Sequence, residues 1–266
     1  MTGTITHGLQ ALAAMFAQAK EEGRSAFLPY FPIGYPDYDE SLAIIESMAQ
    51  AGVDGFEIGI PFSDPLADGP VIQAATQRAL EQGATLRKCL AGVRELRARG
   101  VDQPMLLMGY VNPFMRYGIE AFVKDVRDAG ADGLIVPDLP PEESARFAEA
   151  CRNEGLALVF LLAPTSSKER IALVAQHATG FIYVVSLTGI TGERKDLPPD
   201  LQDFIARVRA QSGATPLVLG FGISQPEHVA LVSKLVDGYI VGSALVRAGG
   251  ESVAATRALT EQLLPR

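Results

Sequence analysis

The sequence predicts an α/β protein of the (β/α)8 TIM-barrel class, and three observations lead to this prediction. Short apolar segments rich in β-branched residues alternate with amphipathic helical segments along the chain. The alternation gives eight strands, each followed by a helix, which is the number that closes a barrel. A short repeat, Ala-Gly-x-Asp-Gly, recurs where a helix ends and a strand begins. We expect one domain that spans residues 1–266.

The predicted strands are apolar on both faces, which is typical of parallel strands that are covered by helices. Gly, Pro or Asp residues bound most of these segments. The predicted strands are Ala26–Ile33, Gly55–Ile60, Pro104–Tyr110, Gly133–Pro137, Ala157–Leu162, Phe181–Ser186, Pro216–Gly220 and Asp237–Val241.

The predicted helices have apolar residues at the three- and four-residue spacing of one helix face. Gly52 and Gly130 follow two of them and suit the left-handed position after a helix. One additional helix precedes the first strand. The predicted helices are Gly8–Glu22, Ser41–Ala51, Pro70–Gly83, Leu86–Arg99, Ile119–Ala129, Glu142–Asn153, Lys168–Ala175, Leu201–Gln211, Pro226–Leu235, a short stretch at Ala244–Arg247 and Ser252–Leu264.

An open, doubly wound sheet is the main alternative, since its strands would also be apolar and parallel. No G-x-G-x-x-G motif follows the first predicted strand, and the strand count fits closure of a barrel. The sequence therefore favours the barrel.

The composition excludes several classes of partner. The chain has 23 Lys and Arg against 31 Asp and Glu, a net charge of −8, without a basic tract. Nucleic acids and anionic membranes are therefore unexpected partners. We find neither a signal-peptide pattern nor a membrane-spanning apolar run, and the two cysteines have no metal-binding spacing. We expect a cytoplasmic protein with reduced cysteines.

Glu57 lies within the apolar second strand, where a carboxylate costs free energy unless chemistry or pairing requires it. The alternation of a strand places Glu57 and Gly59 on one face and Phe56, Ile58 and Ile60 on the other. We expect the bulky apolar face to pack on helices and Glu57 to point into the barrel. A structural glutamate paired with a buried cation is the alternative, but no Lys or Arg is evident on an inward strand position.

The loop after this strand carries Asp64 and Asp68. Active sites of such barrels lie at the carboxyl ends of the strands, so both aspartates are candidate site residues. Asp68 also precedes Pro70, a suitable first-turn residue, so that Asp68 could simply cap a helix. A magnesium site that combines both aspartates with Glu57 is a further alternative, which the spacing does not demand.

Glycine-rich loops follow the last three predicted strands, at Ser186–Gly192, Gly220–Ser224 and Gly242–Ser243. Glycine lets the backbone approach an anion, and the amides at a helix start bind phosphate. These loops predict a phosphate site. The long loop Leu187–Pro199 is typical of a lid that closes over substrate, although a solvated insertion would have a similar composition.

The segment from Glu57 to Pro70, EIGIPFSDPLADGP, resembles the signature of the tryptophan synthase alpha subunit family. The resemblance extends to Tyr30–Pro36, Tyr110-Val111-Asn112-Pro113, Val136–Pro140 and the three glycine-rich loops, and it covers residues 8–264. It places Tyr30, Met108 and Gly109 among the variable positions around the indole pocket. It implies a lyase that cleaves indole-3-glycerol phosphate into indole and glyceraldehyde 3-phosphate. It also implies an α2β2 heterotetramer with a beta subunit that holds pyridoxal phosphate (PLP), whereas this chain needs no cofactor or metal.

The same resemblance implies roles for individual residues. Glu57 would protonate the indole ring, Asp68 would bind the indole N–H, and Tyr183 would lie beside Glu57. Thr191 of the lid would meet Asp68 on closure. The phosphate ligands would be Gly192, Gly222, Gly242 and Ser243, and the surface for the beta subunit would comprise Pro61, Phe62, Ser63 and Asp64.

Two other functions remain open at this point. A stand-alone lyase of the same family would release free indole without a beta subunit. A phosphate-binding barrel without catalysis, or an isomerase of sugar phosphates, would not need Glu57. No lysine lies on a predicted strand, which argues against a Schiff-base aldolase. The three histidines, His7, His177 and His228, lie at no predicted strand end, and we expect them on the surface.

Overall fold

Eight parallel strands form a closed barrel in the computed structural model, which describes residues 7–185, 200–220 and 222–265. Each strand pairs with the next in chain order, and β1 pairs with β8. The predicted barrel is confirmed, and an open sheet is excluded. The strands are β1 Ala26–Pro32, β2 Phe56–Gly59, β3 Met105–Met108, β4 Gly133–Ile135, β5 Ala157–Leu162, β6 Ile182–Val185, β7 Leu217–Gly220 and β8 Gly238–Val241.

Helices surround the barrel, and all the predicted ones are found within a few residues of their expected ends. The helices are α1 Leu9–Glu21, α2 Tyr38–Ala51, α3 Pro70–Glu81, α4 Leu86–Ala98, α5 Val111–Tyr117, α6 Ile119–Ala129, α7 Ala145–Asn153, α8 Lys168–His177, α9 Leu201–Ser212, α10 Pro226–Val232, α11 Ser243–Glu251 and α12 Val253–Leu263. None of the described helices is long and apolar enough to cross a membrane.

The sequence carries no clear signal for some helical elements, or for their full length. It did not predict α5, because the turn residues Asn112 and Pro113 mask so short a helix. It also missed the 3-10 helix Pro141–Glu143, and it predicted only Ala244–Arg247 of α11. The expected glycine ends are confirmed, since Gly52 and Gly130 end α2 and α6 with φ angles of 99° and 90°.

An aspartate at the start of three even-numbered strands ties that strand to its predecessor. Each carboxylate accepts a hydrogen bond from a backbone N–H of the preceding strand and pairs with an arginine. The three sets are Asp54 with Phe27 and Arg24, Asp132 with Met105 and Arg97, and Asp237 with Leu217 and Arg209. Thr179, at the same place before β6, accepts the Leu158 N–H. This recurrent clasp joins strands in pairs at the amino-terminal ends, opposite the predicted site.

Candidate active site

Glu57 points into the barrel from β2 and is only 3% exposed. Its Oε2 accepts a hydrogen bond of 3.3 Å from the Tyr183 hydroxyl, which reaches it from β6. Phe56, Ile58 and Ile60, on the other face of the strand, are buried in the core. The predicted orientation of Glu57 is confirmed. Among the described residues no lysine or arginine forms an ion pair with it.

The surroundings of Glu57 favour its protonated form. The pKa of Glu57 is raised to about 8, mainly by burial and then by the negative charge of Asp68, and the hydrogen bond from Tyr183 opposes both effects. A carboxyl group with a pKa near neutrality can give and take a proton within one reaction cycle.

Asp68 lies at the end of the loop after β2 and is 4% exposed. Its Oδ2 accepts a hydrogen bond of 2.9 Å from the Tyr110 hydroxyl. The pKa of Asp68 is raised to about 6, because the effect of burial exceeds the opposing effect of the hydrogen bond from Tyr110. Gly69 rather than Asp68 is the residue that caps α3, and no side chain caps that helix. The capping alternative for Asp68 is therefore wrong.

Asp64 lies in a different environment from Asp68. It is exposed, and its carboxylate accepts a hydrogen bond of 2.5 Å from Ser63. Within the described part of the chain, no group of three His, Cys, Asp or Glu side chains is placed to hold a metal ion.

Two tyrosines of the site lean along their strands onto glycines of the next strand. Tyr30 on β1 is paired with Glu57, and its hydroxyl lies over Gly59, two residues further on. A Cβ atom on Gly59 would lie 2.4 Å from the Tyr30 hydroxyl. Tyr183 has the same relation to β7, where a Cβ atom on Gly220 would lie 2.2 Å from its hydroxyl. Only glycine leaves room for these two rings.

The start of α11 provides the features of a phosphate site. Gly242 caps this nine-residue helix, and Ser243 begins it. The first intrahelical bond is donated by the Val246 N–H to the Gly242 carbonyl, so the amides of the first turn have no partner within the helix. Gly222, after the neighbouring strand β7, has a φ of 84°, which favours glycine.

Two predicted site residues, Thr191 and Gly192, lie outside the described residues, as does the whole predicted lid at 187–199. Of the predicted phosphate ligands, Gly222, Gly242 and Ser243 lie among the described residues.

The loop after β2 presents an apolar surface next to the site. Phe62 is half-buried and packs on Tyr110, with ring centroids 5.3 Å apart, while Ser63 and Asp64 are exposed and Pro61 is buried. Leu66 on this loop is 86% exposed. The predicted partner segment thus continues into an exposed leucine.

The sequence placed Tyr110 at a strand end without a contact, and the resemblance placed Tyr30 around the indole pocket without a contact. Both contacts depend on loop geometry and strand register, for which the sequence has no local signal. The expectation that the histidines lie on the surface is confirmed for His7 and His177 and wrong for His228, which is 3% exposed.

A closed parallel barrel with two buried carboxyl groups at the carboxyl ends of its strands defines a TIM-barrel enzyme of acid–base chemistry. The family model of the tryptophan synthase alpha chain matches residues 16–264. The tryptophan synthase alpha chain of Chloroflexus aggregans is 49% identical over 90% of this chain and 89% of the relative. The tryptophan synthase of Saccharomyces cerevisiae is 42% identical over 91% of this chain but only 34% of the yeast protein. A solved structure of Mycobacterium tuberculosis tryptophan synthase superimposes with a TM-score of 0.90 at 36% identity, covering 97% of both chains.

This chain belongs to the tryptophan synthase alpha chain family. It is accordingly an enzyme of tryptophan biosynthesis, a carbon–carbon lyase that cleaves indole-3-glycerol phosphate.

Proposed function

We propose that Glu57 is the acid–base group of this cleavage. Breaking the bond between the indole ring and the glycerol chain requires a proton on indole C3 and removal of a proton from the adjacent hydroxyl. Glu57 is protonated at neutral pH because its pKa is about 8. It gives its proton to C3, and its carboxylate then accepts the hydroxyl proton as the aldehyde forms. The observation that carries the proposal is this buried carboxyl group, which points into the barrel beside Tyr183.

Asp68 stabilises the intermediate in this proposal. Protonation at C3 places positive charge on the indole ring, and a carboxylate that accepts the indole N–H offsets that charge. Asp68 is suited to the role because Tyr110 holds one oxygen of its carboxylate, Oδ2, while the side chain stays at the buried end of the loop.

The phosphate of the substrate binds, in our proposal, to Gly222, Gly242 and Ser243. The first-turn amides of α11, which have no partner within the helix, support this placement because they lie at the same end of the barrel as Glu57. Gly192 would add a further amide, and Thr191 would contact Asp68 from the lid. We further propose that residues 1–266 form one barrel domain and that the enzyme is cytoplasmic.

The proposed partner is a PLP-dependent beta subunit that receives the indole, in an α2β2 heterotetramer. The exposed part of the loop after β2, Phe62, Ser63, Asp64 and Leu66, offers it an apolar contact surface. Pro61 is buried and shapes this surface. The yeast relative is named tryptophan synthase, and the matching region is only about a third of its chain. This supports a subunit that works together with a further part of the enzyme.

The test is indole release from indole-3-glycerol phosphate by the purified chain, with and without beta subunit. Glu57→Gln and Asp68→Asn should each lower the rate by at least about 100-fold while circular dichroism stays unchanged. An unchanged rate in Glu57→Gln would contradict the mechanism and favour a barrel without this chemistry. Strong activation by the beta subunit supports the synthase, whereas equal rates with and without it favour a stand-alone lyase.

A further inference from the structure

Tyr30 spans the candidate site from its phosphate end to its carboxylate end. At its base, a Cβ atom on Gly242 would lie 3.5 Å from the Tyr30 Cβ and Cδ1 atoms. At its tip, the hydroxyl lies over Gly59, on the strand face that carries Glu57. The ring therefore runs beside the space between the start of α11 and the two carboxyl groups.

The hydroxyl of Tyr30 differs from those of its two neighbouring tyrosines. Tyr110 donates to Asp68, and Tyr183 donates to Glu57. Within the described part of the chain, no residue accepts a hydrogen bond from Tyr30, although its side chain is only 3% exposed. The Tyr30 oxygen is not one of the fully buried polar atoms that lack a partner, which in the described part of the chain are Ser212 Oγ and Ser233 Oγ, so its hydroxyl can donate to a group that enters the site.

Burial, followed by the charges of Asp68 and Glu57, raises the pKa of Tyr30 well above its usual value. The hydroxyl therefore stays protonated throughout the working range of the enzyme and remains a hydrogen-bond donor.

We propose that the Tyr30 hydroxyl hydrogen-bonds a hydroxyl group of the three-carbon chain of the bound substrate, and thereby selects a hydroxylated chain between indole and phosphate. The inference rests on the proposed function, which puts the phosphate at Gly242 and the indole ring at Asp68. The glycerol chain must then pass along the Tyr30 ring. Gly59 makes this possible because any side chain there would displace the hydroxyl.

The test compares two ligands in a chain that cannot turn over substrate. In the Glu57→Gln background, calorimetry measures the affinity for indole-3-glycerol phosphate and for indole-3-propanol phosphate, which lacks both chain hydroxyls. Adding Tyr30→Phe should lower the affinity for indole-3-glycerol phosphate by about 3- to 10-fold, as expected for the loss of one neutral hydrogen bond. The affinity for indole-3-propanol phosphate should change by less than about twofold, because this ligand has no chain hydroxyl that Tyr30 could bind.

Tyr35→Phe is the matched control, since Tyr35 lies on the loop after β1 and packs on Phe31 outside the site. It should change neither affinity. If Tyr30→Phe weakens the binding of both ligands equally, or of neither, the inference is overturned. In that case, indole release by the unmodified chain still upholds the proposed function. An unmodified chain that releases no indole would overturn both.

Discussion

The hydroxyl of Tyr110 donates a hydrogen bond to Asp68 over 2.9 Å and also accepts one of 3.1 Å from the Ala67 N–H. Tyr110 lies at the carboxyl end of β3, whereas Asp68 belongs to the loop after β2. The two bonds fix the end of that loop against the next strand. The bond from Tyr110 also favours the charged form of Asp68, which burial opposes.

Tyr110→Phe should therefore raise the pKa of Asp68 above its value of about 6, because the group that stabilises the carboxylate is lost. If ionised Asp68 accepts the indole N–H, the acid limb of the kcat/KM profile moves to higher pH, and the rate at pH 6 falls by about 10-fold. The measurement is indole release across pH. Tyr117→Phe, which removes a hydrogen bond to Asp125 far from the site, should leave the limb in place. An unmoved limb in Tyr110→Phe would show that Asp68 does not control it.

The pKa values of the two carboxyl groups predict a bell-shaped pH dependence. Asp68 is ionised above about pH 6, and Glu57 keeps its proton below about pH 8, so kcat/KM should be greatest between these values. Asp68→Asn removes a negative charge that raises the pKa of Glu57. The alkaline limb of the residual activity should therefore lie at lower pH in this variant than in the unmodified chain. A rate that still increases above about pH 9 would be incompatible with Glu57 as the proton donor.

The sequence predicted the parts of this site that depend on local periodicity. The alternation of β2 was enough to point Glu57 inward, because a strand has only two faces. The glycine-rich segment Gly242–Ser243 also predicted where α11 begins, because glycine and serine are typical of a helix start that binds an anion. The contact of Tyr110 with Asp68 could not be predicted, because it joins residues of two different loops.

Contacts between side chains of neighbouring strands depend on strand register, and the sequence does not show that register. Tyr30 and Tyr183 each lean onto a glycine of the neighbouring strand, and that relation follows from the pairing of β1 with β2 and of β6 with β7. The repeat that contains Asp54 and Asp132 was visible in the sequence, but its glycines explained only where the helices end. The hydrogen bonds of the aspartates to the preceding strands required the closed barrel.

Gly220→Ala should lower activity by displacing Tyr183. The added Cβ atom would lie 2.2 Å from the Tyr183 hydroxyl and Cε1, so the ring must move away from Glu57. We expect indole release to fall by about 10-fold or more, since a misplaced group in a site can cost about 100-fold. The measurement is a double-mutant cycle with Tyr183→Ala, which removes the ring that is displaced. Gly220→Ala should have little further effect in the Tyr183→Ala background, and fully additive losses would contradict this explanation.

Asp132→Ala should destabilise the barrel more than any surface ion pair does. The Asp132 carboxylate is fully buried, accepts the Gly8 and Met105 N–H groups over 2.6 Å and 2.8 Å, and pairs with Arg97 over 2.8 Å. Its loss leaves the two N–H donors without an acceptor, and it leaves the largely buried Arg97 with backbone carbonyl acceptors but no opposite charge. This should lower the free energy of unfolding by about 3–5 kcal/mol in urea titrations.

Glu120→Ala is the control for that titration. It removes the exposed pair with Arg146 and should leave the free energy of unfolding almost unchanged. Asp132→Asn keeps an oxygen that can accept one N–H but cannot offset the charge of Arg97, so its loss of stability should lie between the two. Because Asp132 precedes β4 at the amino-terminal ends of the strands, the folded fraction of each variant should keep its rate of indole release. A loss below about 1 kcal/mol in Asp132→Ala would show that the clasp contributes no more than a surface pair.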